Sequence, residues 1–275
     1  MIDQPLPPRQ AAAGGPLPFG QRLAAVVVAA GSAVCVGLDP RPERLREPVL
    51  DACRRLIDAT APFAAAFKPN SAFFEALGPD GLAVLAAVIR HVPDDRLVIL
   101  DAKRGDIGAT SEAYAAAAFR VLGADAVTVS PYLGHDSVEP FLADPARGAF
   151  VLCHTSNPGA ADFQHRRAGD QPLYLAVASA CAAWNGAGNV GLVVGATFPA
   201  EMAAVRAAAP ELPFLVPGSG AQGGDPAAAV RAGLDARGGG LLISSSRALA
   251  EAPDPAAAAR ALRDSIAAAG ARALA

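Results

Sequence analysis

The sequence predicts an α/β fold: a parallel, eight-stranded (β/α)₈ TIM barrel with an extra N-terminal helix. Three observations predict it. Short apolar runs recur eight times, separated by Ala-rich stretches with scattered charges, most of them long enough for a helix. The runs are continuously apolar, as strands buried on both faces of a parallel sheet require. Polar, charged or Gly-rich residues follow most of the runs, and a barrel carries such residues to one rim. Eight repeats favour a closed barrel over an open doubly wound sheet.

Residues 1–18 are rich in Pro, Gly and Ala and read as a mobile N-terminal tail. A helix is expected over 19–30. The strand candidates are 33–38, 63–67, 97–100, 126–129, 149–153, 190–195, 214–216 and 240–243. No shift in composition divides 19–275, so one barrel domain is expected there. The 275 residues are 52% hydrophobic and 18% charged with net charge −3, which suits a large soluble domain and gives no support for nucleic-acid or membrane partners. No basic stretch followed by an apolar core marks a secretory signal. Cys35, Cys53, Cys153 and Cys181 lack metal-ligand spacing and read as free thiols of a cytoplasmic protein. The four histidines form no metal-ligand pattern with carboxylates, and no Ser-His-Asp arrangement is legible; no metal is expected.

The third run ends in Asp101-x-Lys103-x-x-Asp106. Residues two apart on a strand share a face, so Asp101 and Lys103 are expected to project together. Unpaired charges at a strand end are too costly to serve as packing, which leaves an active site or an ion-pair network. Lys68 ends the second run and reads either as a site residue or as a snorkelling surface lysine. Asp39 before Pro40 reads equally as a turn start. Thr110 and Ser111 could cap a helix, the better reading for Ser111. After the last two runs come 217–224, rich in glycine, and Ser244-Ser-Ser-Arg247. Backbone N–H groups of such a loop and the forked Arg247 guanidinium suit a phosphate, although the loop could be ordinary surface and the serines a cap.

The string Asp101-Ala-Lys-Arg-Gly-Asp-Ile-Gly-Ala-Thr110 resembles the orotidine 5′-phosphate decarboxylase family. Phe67-Lys-Pro-Asn-Ser-Ala-Phe-Phe-Glu75, Thr155-Ser-Asn-Pro-Gly159, Gly191-Leu-Val-Val-Gly-Ala-Thr197 and Gly220-Ala-Gln-Gly-Gly224 are similar to its longer bacterial branch. The resemblance implies a cofactor-free and metal-free homodimer with shared sites. It implies decarboxylation of orotidine monophosphate to uridine monophosphate, the last step of de novo pyrimidine synthesis. By that similarity Lys68, Asp101, Lys103 and Asp106 form the charged catalytic array, with Lys103 protonating the ring carbon. Asp106 would reach the partner's site with Thr110 nearby. Asp39 and Lys68 would hold ribose hydroxyls, and Ser156 the pyrimidine. Gln222 would bridge base and phosphate, Ser246 and Arg247 would grip the phosphate, and Pro217 would border a closing loop. Arg41 and Ser219 depart from the family pattern, at positions expected to hold histidine and an apolar residue. The alternative enzyme on the same barrel is a metal-dependent sugar-phosphate lyase or aldolase.

Overall fold

A computed structural model describes residues 17–218 and 224–273. Most of the expected tail therefore lies outside the described residues, as do Ser219 and Gln222. Eight parallel strands close a barrel: β1 (Val34–Leu38), β2 (Ala66–Pro69), β3 (Leu97–Arg104), β4 (Ala126–Val129), β5 (Gly148–His154), β6 (Val190–Val194), β7 (Phe214–Val216) and β8 (Leu241–Ser245). They neighbour one another in chain order, and β8 pairs back onto β1. A short antiparallel hairpin, Arg167–Ala168 with Gln171–Pro172, stands outside the barrel.

Alternation along each strand sorts the core into two layers. Val34, Val36, Phe67, Val98, Val127, Val151, Leu192 and Ile243 face the helices. Cys35, Ala66, Leu97, Ile99, Ala126, Phe150, Leu215 and Leu242 fill the interior. Helix α1 (Phe19–Ala30) closes the end where the strands begin. The Phe19 ring meets Phe150 edge-on at 5.8 Å, and a Cβ at Gly148 would fall 2.3 Å from it. The barrel floor is thus sealed by an aromatic plug, and only the opposite rim stays open.

Three strands differ from expectation by more than one residue at an end. Phe63 lies in a 3₁₀ turn, Ala61–Phe63, and β2 starts at Ala66. Phe63 is apolar for another reason: the guanidinium groups of Arg260 and Arg263 each lie 5.3 Å from its ring centroid. Gly240 has φ +73°, a turn conformation, so β8 begins one residue later and runs on through Ser244 and Ser245. The largest difference is in β3, which continues past Leu100 to Arg104, so the charged residues lie on the strand itself.

Candidate active site

A cavity of about 910 Å³ opens at the rim formed by the strands' C-terminal ends. Its wall is the next inward-facing layer above the interior core, Lys68, Asp101, Thr128, Leu152, Val193 and Ser244, with Leu215 of the core itself at its base. Strand alternation therefore carries the apolar interior directly into a polar site.

At its centre Asp101 accepts from two ammonium groups. Lys68 Nζ lies 2.5 Å from Oδ2 and Lys103 Nζ lies 2.6 Å from Oδ1. The Lys68 and Asp101 side chains are 7% and 10% exposed, whereas Lys103 is 50% exposed and reaches the cavity. Burial pushes the Asp101 carboxyl up, but the Lys68 and Lys103 charges outweigh it and hold it down at about 2. Burial works against the Lys68 ammonium, yet Asp101 and Asp39 raise its pKa above the ordinary lysine value. Lys68 is thus a paired, buried charge and not a snorkelling surface lysine. The triad itself carries two positive charges and one negative, with the Asp39 carboxylate close enough to act on Lys68.

Asp101 and Lys103 do meet, but not through simple two-residue alternation. Leu100 pairs with Val127 and Arg104 with Val129, so four steps on β3 match two on β4. The difference is a bulge, and within it Lys103 has φ +48°, the one non-glycine positive φ among the described residues. Beyond the bulge, Arg104 bonds Glu75 at 2.8 Å and lies 4.8 Å from the Tyr114 ring centroid, anchoring the strand end.

Around this centre the cavity is lined by Asp39, Arg41, Asn70, Ser156, Pro217, Gly218, Ser246 and Arg247. Asp39 Oδ1 is buried and has no hydrogen-bond partner, an acceptor open to a hydroxyl donor. Two glycines allow the loops to close on the strands. A Cβ at Gly37 would fall 2.6 Å from Ser246 Cβ, and one at Gly195 would fall 2.8 Å from the Ser156 nitrogen. Arg41 lies 5.9 Å from the Phe73 ring centroid on the cavity wall.

Asp106 and Thr110 do not line this cavity. Asp106 Oδ1 accepts from Ile107 N at 2.8 Å, and Thr110 is exposed on the helix Gly108–Ala116. Ser111 is not a cap: its buried hydroxyl lies 2.8 Å from both the Asp106 and Ser137 carbonyl oxygens, tying the loop to the next helix. Ser246 stands at the start of the short helix Arg247–Ala250, where its side chain makes no capping bond. His154 is fully buried, with its Nε2 3.0 Å from that of the exposed His165, and neither histidine lines the cavity. Among the described residues, no group of three or more His, Cys, Asp or Glu could hold a metal ion. No described helix is long and apolar enough to cross a membrane.

Sequence reasoning missed Thr128. Its only signal was one polar side chain inside the apolar run 126–129, which β-propensity alone accounts for.

Comparison with known proteins bears on this geometry. Residues 32–262 match the orotidine 5′-phosphate decarboxylase / HUMPS family. A relative from Azoarcus sp. (strain BH72), named orotidine 5′-phosphate decarboxylase, is 51% identical over 244 residues, covering 84% of this chain and 90% of its own. One of the same name from Roseiflexus castenholzii is 50% identical over 251 residues, covering 86% and 92%. The solved Leishmania donovani OMP decarboxylase superposes with a TM-score of 0.87 at 50% identity, over 92% of this chain and 99% of that one. Leishmania donovani UMP synthase gives a TM-score of 0.88 at 52% identity, over 92% of this chain and 57% of its own.

Proposed function

Since the chain belongs to the orotidine 5′-phosphate decarboxylase / HUMPS family, we propose that its cavity is where this carboxy-lyase converts orotidine 5′-monophosphate to uridine 5′-monophosphate and CO₂ in pyrimidine biosynthesis. The observation that carries the reading is the Lys68–Asp101–Lys103 triad, with Lys103 as its one solvent-reaching ammonium. As the bond from the ring carbon to the carboxylate breaks, its electron pair stays on the ring. No π-system absorbs that charge. An ammonium held beside the carbon favours the transition state over the ground state, then gives a proton to the carbon. Lys103 is left neutral and recovers a proton from solvent, to which its half-exposed side chain has access. Asp101 aims the amine through its Oδ1.

The remaining cavity residues serve binding. Asp39, through its unpartnered oxygen, and Lys68 hold ribose hydroxyls. Ser156 hydrogen-bonds the pyrimidine. Ser246 and Arg247 take the phosphate, Pro217 lines the cavity beside them, and Gln222, which lies outside the described residues, bridges base and phosphate. Binding energy from the remote phosphate then organises the reacting end. No cofactor or metal enters this scheme, and the relatives' names lend no support to the metal-dependent lyase or aldolase alternative. Incubating the protein with orotidine monophosphate and a chelator is expected to yield uridine monophosphate. Activity abolished by the chelator and restored by a divalent ion would favour the alternative.

We read residues 19–275 as one barrel domain that works in the cytoplasm as a homodimer with shared sites. All four cysteines are free and buried, and burial pushes Cys35, Cys53 and Cys181 up to about 12, so they are inert thiols. Asp106 and Thr110 lie on a rim where Ile107 and Tyr132 are 57% and 82% exposed, an apolar surface suited to a second copy. From there Asp106 would complete the partner's charged array. Mixing Lys103→Ala and Asp106→Ala dimers is expected to regenerate activity through hybrids; no recovery after demonstrated subunit exchange would refute the shared site.

A further inference from the structure

The geometry points to Thr128 as a positioning residue that sets the conformation of Lys103 and the aim of its ammonium; this rests on Lys103 being the proton donor. The Thr128 hydroxyl sits on β4 opposite the β3 bulge, 2% exposed. It accepts from the Ala102 and Lys103 backbone N–H groups at 3.0 and 2.9 Å and donates to Asp101 Oδ1 at 3.0 Å.

A hydroxyl has one donor and two acceptor sites, so all of its capacity is used. Two incoming N–H groups leave one direction for its proton, and that direction is Asp101. They also polarise the O–H and make it a stronger donor. Asp101 Oδ1 is the same oxygen that receives Lys103 Nζ. One hydroxyl therefore fixes Lys103 twice: through its backbone nitrogen and through the carboxylate that holds its amine.

The backbone hold has something to oppose. A lysine at φ +48° occupies the left-handed region, where a Cβ is unfavourable. Such strain persists only when neighbours over-determine it. Extended backbone at Lys103 would direct the side chain elsewhere and pull both N–H groups off Thr128. Sitting below the ammonium groups in the cavity wall, Thr128 needs no contact with substrate to matter.

The test compares Thr128→Val, which keeps the shape and removes the hydroxyl, with Thr128→Ser, which keeps the hydroxyl. Each is assayed for kcat, KM, uridine monophosphate affinity, melting temperature and the pH profile of kcat. Thr128→Val is expected to lose about 10²-fold in kcat, the scale of a misplaced catalytic group, with KM and product affinity nearly unchanged. Its acid limb should move to higher pH, because Asp101 loses a donor that favours its charged form. Thr128→Ser should restore most of kcat. Thr128→Ala replaces valine if the latter does not fold. Wild-type kcat in the hydroxyl-less variants, or a serine variant as damaged as valine, would overturn the role. Lys103→Ala is run alongside: if it stays active, the proton-donor assignment itself fails, whereas a dead Lys103→Ala beside a normal Thr128→Val removes Thr128 alone.

Discussion

The barrel holds a buried carboxylate at each end, and the two are built differently. At the rim Asp101 is held by two lysines, one of which reaches the cavity. At the floor Asp125, its side chain 1% exposed, is held by Arg22 from α1 at 2.7 Å, with Arg147 at 3.9 Å. Asp125 Oδ2 also accepts from the Val98 backbone N–H at 2.9 Å, and Arg22 donates to the Ala146 carbonyl oxygen at 2.7 Å. The floor cluster uses arginine, a planar fork that spends its donors on fixed acceptors and never gives up its proton. The rim cluster uses lysine, a point charge that can. Both ends bury ions, but only the rim leaves a proton in play. In this fold the C-terminal face carries chemistry and the N-terminal face stability.

That contrast breaks if mutations fail to separate activity from stability. Lys103→Ala is expected to lower kcat/KM by about 10⁴-fold, the upper range for a positioned acid, while the melting temperature stays near wild type. Arg22→Ala should do the reverse. Removing one partner of a buried pair strands the other, so a denaturant series should show a loss of about 3 kcal/mol. Turnover by the fraction still folded should match wild type. A floor variant that keeps its stability but loses turnover would show the two ends to be coupled through β3 and β4.

The two clusters also differ in how visible they are in the sequence. Asp101 and Lys103 are two residues apart at the end of an apolar run, so the charge conflict is local. Arg22 and Asp125 are 103 positions apart, and each alone looks ordinary: an arginine on an apolar helix and an aspartate before a strand. The eight-strand pattern was legible because strands buried on both faces must be continuously apolar, while the stop of β3 was misplaced because polar residues normally end such a run. Here they sit on the strand because the rim faces a cavity. The positive φ of Lys103 leaves no mark in the sequence, and neither does the triple hydrogen bonding of Thr128. Both depend on a register shift between two strands, a property of the assembled sheet. The placement of Gln222 lies outside the described residues.

Acid titration sharpens the contrast with the smallest expected effect. The Asp101 pKa is held at about 2 against an ordinary 3.8, with burial opposing and the two lysine charges prevailing. A depressed carboxyl pKa contributes stability that is complete above the ordinary value and is lost as pH falls through the folded one. The window is therefore roughly pH 4 to 2, and a shift of this size corresponds to about 2 kcal/mol. Lys68 works at the other end of the scale: its raised pKa contributes below the ordinary lysine value and is lost only as pH rises through the folded one. Between these limits the rim cluster keeps its charges. The stability difference between wild type and Asp101→Asn should accordingly be flat from pH 5 to 8 and shrink by about 2 kcal/mol on going to pH 2. A difference that stayed constant down to pH 2 would mean that Asp101 gains nothing from its lysines when the protein folds, and the rim would then be no more than a second floor.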